Sequence, residues 1–115
     1  MRLNEVTYNG ALPVDGYGPG FFRIGGVKRD GAHSILPSGV SAWEPWDQAP
    51  FLADGAIDVL LVGTGAETAH LPPEFRTKIE AAGIGVEAMA SPQACRTYNV
   101  LLGEGRRVGL AVLPV

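Results

Sequence analysis

The chain has 115 residues, a length that fits one domain, and 46% of them are apolar, enough to bury a sizeable core. Net charge is −3 with no lysine- or arginine-rich run, which argues against a nucleic-acid binder. A single cysteine excludes an intramolecular disulfide and a cysteine-built zinc site, and it fits a reducing compartment.

Residues 1–20 crowd Gly, Pro, Asn and Asp in "NGALPVDGYGPG" and read as an irregular segment, with a short strand near Glu5–Tyr8. Residues 21–115 read as an α/β core, so that 1–115 form one domain. "FFRIGGV" and "HSILPS" flank "KRDGA", and the Asp30-Gly31 turn between two β-rich runs predicts a hairpin. Val40–Trp46 alternates as a third short strand. Ile57–Gly63 is a continuous apolar run, as in a buried parallel strand. "PPEFRTKIEAAG" predicts a helix that opens at Pro72-Pro73 and stops at Gly83, with Phe75, Ile79 and Ala82 on its inner face. Glu74–Lys78 and Arg76–Glu80 are ion pairs one turn apart on the wet side. Ile84–Met89 is the next strand and Val108–Leu113 the last, with a second helix between them. That β-α-β-α-β order predicts parallel neighbours, and the N-terminal hairpin is expected to extend the same sheet and make it mixed.

The second helix lies in "SPQACRTYNVLLGEGRRV". Ser91 suits its N-cap and Pro92 its first turn, and Gly103 and Gly105 suit its end. Ala94, Cys95, Tyr98, Leu101 and Leu102 share one face, so Cys95 reads as a packed small hydrophobe rather than a nucleophile. Arg96 points the other way, either as a solvated arginine or as an anion or partner contact. Asn99 is open to binding or to packing on a neighbouring loop.

"VLLVGTGAE" lacks the third glycine of a dinucleotide fingerprint. Its turn, Gly63, Thr64 and Gly65, nonetheless lies at the C-terminal end of a strand, where open α/β sheets bind ligands. A cleft between it and the Met89–Ser91 turn is the default small-molecule site. Trp43 and Trp46 are either cover over a sheet edge or an exposed anchor for another protein. His33 and His70 have no metal-ligand spacing and read as surface or turn histidines. No catalytic residue, metal ligand or cofactor motif stands out.

Taken together, "DGYGPGFFRIGGV", "GAHSILPSGV", Trp43, "VLLVGTGAE", "LPPEFRTKIEAAGIGVEAM" and above all "ACRTYNVLLGEGRRV" resemble a family of small uncharacterised domains. That family includes the mitochondrial respiratory complex I (NADH dehydrogenase) assembly factor 3. The resemblance covers roughly residues 15–113. It implies a three-layer α/β/α domain around a central mixed β-sheet, mostly parallel in its C-terminal half, with one strand antiparallel to the others. It also implies assembly work through protein contact, without recognised catalysis.

The resulting expectation is a non-catalytic protein-binding module, plausibly an assembly factor for a respiratory or other membrane complex. Its candidate contacts are Arg96, Asn99, Trp43 and Trp46, its expected partner a protein rather than nucleic acid. The alternative is a small-molecule or anion binder using the strand-end cleft with Gly63, Thr64 and Gly65. No run approaches the ~18 apolar residues of a membrane span. The N-terminus lacks an apolar signal-peptide core, so the expected location is the cytoplasm, and a mitochondrial one only if a presequence is missing from this chain.

Overall fold

A computed structural model describes residues 11–54 and 56–115. Its elements run β1 (Val14–Gly18), β2 (Phe21–Ile24), β3 (Val27–Asp30), β4 (His33–Leu36), β5 (Gly39–Ala42), α1 (Ala49–Asp54), β6 (Val59–Thr64), α2 (Pro73–Ala81), β7 (Gly85–Met89), α3 (Ser91–Gly103) and β8 (Val108–Leu113). The central sheet has the order β5-β4-β8-β6-β7. β6 pairs in parallel with both β7 and β8, while β4 runs antiparallel to β8 and to β5. One strand, β4, therefore opposes the other four, and the C-terminal half is parallel as expected.

Alternation along β6 explains why that run is apolar throughout. Leu60 and Val62 point into a core with Phe51, Phe75 and Ile79, whereas Leu61 points into a second core with Cys95 and Tyr98. Both faces are covered, so no polar alternation survives. The layers are α1 and α2 on one face, the sheet, and α3 on the other, which is the three-layer arrangement. α2 opens on its two prolines and stops at Gly83, whose φ of +85° is the left-handed turn that glycine adopts at low cost. Both ion pairs on α2 form, Arg76–Glu80 at 3.2 Å and Lys78–Glu74 at 3.6 Å.

The N-terminal third departs from expectation. The two runs around Asp30-Gly31 do not pair with each other. Phe21–Ile24 turns back on Val27–Asp30 through Gly25-Gly26, both at positive φ, and His33–Leu36 turns back on Gly39–Ala42. A Gly-Gly pair suits the tight hairpin turn that matches strand twist, so it took the partner that Asp30-Gly31 was expected to supply. Residues 14–18, expected to be irregular, form β1 against β2. The first three strands make a separate sheet, β1-β2-β3, which shares a layer with α3 rather than extending the central sheet. Only the β4–β5 hairpin extends it. The strand expected over Val40–Trp46 ends at Ala42. The strand expected near Glu5–Tyr8 lies outside the described residues.

Smaller differences have local causes. Ala82 is exposed, because it is the C-cap of α2 and no longer follows the helical face. His33 is buried in β4, its Nδ1 3.1 Å from the Gly31 carbonyl, not on a surface or turn. Among the described residues no helix is long and apolar enough to cross a membrane.

Candidate functional site

The strand-end turns are held to each other by Ser91. Its hydroxyl donates to the Leu113 carbonyl at 2.6 Å and accepts from the Gly65 N–H at 2.9 Å, while its own N–H donates to the Gly65 carbonyl at 2.8 Å. α3 begins at Ser91 with Ala90 as N-cap, so this hydroxyl joins β6 to β8 instead of capping its helix. Such closeness requires Gly63. A Cβ there would meet Ser91 Oγ at 2.6 Å and Ser91 Cα at 2.8 Å. Gly65 sits at φ +99°. Thr64 Oγ1 donates to the Glu67 carbonyl at 2.7 Å and accepts from the Ala69 N–H, and Thr68 Oγ1 accepts from the Ala90 N–H at 3.1 Å. Gly63, Thr64 and Gly65 thus join α3's first turn to the strand ends. Beside them lies a hollow of about 360 Å³ lined by Thr68, Ala69, His70, Leu71, Arg76 and Ala88.

α3 presents two chemistries. Inward, Cys95 is 4% exposed and burial pushes its thiol up to about 12, outweighing a downward pull from Arg96. That is an inert thiol at neutral pH. Tyr98 donates its hydroxyl to the Leu12 carbonyl at 2.9 Å. Asn99 accepts from the Val14 N–H at 2.9 Å and donates to the Val14 carbonyl at 2.8 Å, replacing a strand partner at the start of β1. Of the two readings open for Asn99, the side chain takes the packing one. Outward, α3 carries Gln93, Arg96 and Val100, all exposed, with Val100 at 59%. Among the described residues Arg96 makes no ion pair. Val100 is a large exposed apolar residue beside Arg96 on this outer face.

The tryptophans lie on the opposite face of the sheet. Trp43 is buried at 4% exposure and packs edge-on against Trp46 and Phe51, with Phe75 at 6.0 Å between ring centroids. Its Nε1 donates to the Asp47 carbonyl at 3.0 Å. Of the two readings open for it, cover over the sheet is where the side chain sits. Trp46 is half-buried and adopts φ +71°. Arg96 and the Trp43–Trp46 segment are therefore separated by the sheet and do not share one surface. Among the described residues no group of His, Cys, Asp and Glu could hold a metal ion.

Known proteins resemble this chain over nearly all of its length. An uncharacterised protein of Rhodobacter capsulatus is 46% identical over all of this chain and 94% of its own length. The mouse NADH dehydrogenase [ubiquinone] 1 alpha subcomplex assembly factor 3 is 31% identical over 99% of this chain, which spans 66% of that protein's length. A crystal structure described as an outer membrane protein from Bartonella henselae superposes with a TM-score of 0.86 at 33% identity, over 93% of this chain and 98% of that one. Residues 14–113, from the Asn99-held start of β1 to the end of β8, match the family described as "Protein of unknown function (DUF498/DUF598)", and the chain belongs to that family.

Proposed function

We propose that this chain is a non-catalytic protein-binding module that acts in assembling a membrane-bound respiratory complex, and that the outer face of α3 carries the contact. The observation behind the reading is the alignment of 99% of this chain with 66% of the mouse assembly factor 3 of NADH dehydrogenase. The exposed Arg96 and Val100 supply the surface: an arginine without an ion pair among the described residues, beside an apolar side chain at 59% exposure. Arginine is among the residues on which interfaces concentrate their energy, at ~2 kcal/mol or more for a central contact. Trp43 and Asn99 support the fold beneath, and Trp46 rims the other layer.

Deletion of the gene in its host should reduce assembled NADH dehydrogenase on native gels. The wild-type chain should restore it, and Arg96→Ala combined with Val100→Glu should not, while both proteins stay folded by circular dichroism. Unchanged assembly in the deletion strain would refute the reading.

A second reading, a binder of small anions, draws on the hollow beside the strand-end turns, where His70, Thr68 and Arg76 converge on one space. Isothermal titration with phosphate and with a small dicarboxylate tests it, and the absence of heat for either removes it.

A further inference from the structure

We propose that β5 pairs with β5 of a second copy of this chain, joining two central sheets antiparallel about a twofold axis at Ser41. The starting point is how the sheet edges are guarded. Natural proteins blunt free edges with charge, proline or cover. β3 carries Lys28, Arg29 and Asp30; β7 carries Glu87; and β1 has its first residue held by Asn99. β5 reads Gly-Val-Ser-Ala, with neither charge nor proline, and it is the outermost strand beyond β4. A groove of about 460 Å³ runs beside it, lined by Leu36, Ser41, Pro50 and Ala53 among others, none of them charged. Two copies brought together here set no charged side chain of β5 or of this lining against its like.

The register follows from the ladder. Trp43 N–H donates to the Ala32 carbonyl at 3.0 Å, so Ser41 and Gly39, two and four residues back, also turn their backbone groups toward β4. Val40 and Ala42 turn theirs outward. Val40 opposes Ile35 and shares its face toward the α3 layer, while Ser41 opposes Ser34 and lines the groove on the α1 side. A twofold axis normal to the sheet keeps each face on its own side, so Val40 can oppose only Val40 or Ala42 of the second copy. Centring on Ser41 pairs Val40 with Ala42 in both directions. All outward-facing groups of these two residues are then satisfied, valine lies against alanine on one face, and serine meets serine on the other.

This inference stands apart from the assembly role, because Arg96 and Val100 lie on a different surface and the two can fail separately. Sedimentation equilibrium from about 1 µM to about 1 mM tests it across the range of weak to moderate self-association. Twice the chain mass is expected at the upper end. Ser41→Lys opposes like charges at the axis and should weaken the dimer about fivefold; Ala42→Lys, also at an exposed position, repeats the test if the first variant folds poorly. Ser41→Cys, treated with an added disulfide oxidant, should yield a cross-linked dimer, since facing residues of this kind approach to roughly 4.5 Å between Cα atoms. A monomer throughout, a dimer indifferent to both lysines, or a dimer that Ser41→Cys does not cross-link would each overturn the proposal.

Discussion

The two faces of the central sheet are closed by different chemistry. On one, Trp43, Trp46, Phe51 and Phe75 interlock, with ring centroids 5.4 to 6.2 Å apart and mostly edge-on. On the other, an apolar layer around Tyr98 and Cys95 is fastened by directed hydrogen bonds, from Tyr98 to Leu12 and from Asn99 to Val14. The aromatic face is held by area and shape, and each ring supports several others. The α3 face depends on a few polar atoms that fix where the N-terminal sheet docks. The difference teaches that stability and register are separable here: the first resides mainly in the rings, the second in the amides and hydroxyls.

That contrast predicts a large loss from Phe75→Ala, which removes the ring common to three others. A buried phenylalanine truncated to alanine costs ~3–5 kcal/mol, so urea unfolding should shift by that amount with little warning from local probes. A loss below about 1 kcal/mol would mean that the rings are not the main support.

Asn99→Ala should cost less, ~1–3 kcal/mol, because it leaves the Val14 N–H and carbonyl without their partner. Its signature is local. Hydrogen exchange at Val14 and along β1 should accelerate ahead of β6 and β8. Uniform acceleration would show the two faces to be one cooperative unit, and the contrast would lose its meaning.

The smallest effect belongs to Cys95 and is visible only in alkali. Burial raises its pKa from 9.0 to about 12, so between those values the native state keeps a proton that the unfolded chain has released. Stability therefore falls as pH rises through this window, by on the order of 1 kcal/mol at pH 10. Cys95→Ala should flatten the slope between pH 9 and pH 11 in denaturant titrations. An unchanged slope would show that the α3 face admits water to the thiol.

How much of this was legible in the sequence varies along the chain. Ile57–Gly63, Ile84–Met89 and Val108–Leu113 are runs whose periodicity and length leave few options, and their parallel order follows from the helices between them. In the N-terminal strands Asp30-Gly31 reads as the hairpin turn, yet Gly25-Gly26, inside the β-rich run "FFRIGGV", is the pair that closes one, and local signals do not rank the two. The candidate site was legible in part. The helical period separates Arg96 from Cys95 correctly. The Asn99 clamp joins residues 85 positions apart, which no local pattern encodes. Trp43's burial depends on Phe51 and Phe75, which come later in the chain and from two different helices. That Arg96 and the tryptophans end up on opposite faces follows only from the sheet lying between them.

The place of β8 bears on how the protein is made. It is the last of the eight strands among the described residues, yet it sits in the middle of its sheet, between β4 and β6. Until Val108–Leu113 leaves the ribosome, β4 and β6 have no common neighbour, and Leu60, Leu61 and Ile35 lack the strand they flank. Domains begin to fold from the N-terminal side during synthesis, but here that order can complete only the small sheet, the β4–β5 hairpin and the β6–β7 pair. The nascent chain must carry unpaired edges and an open core until Val108–Leu113 has been made. A product truncated before residue 108 is then a species for chaperones or proteases, not a partly working domain.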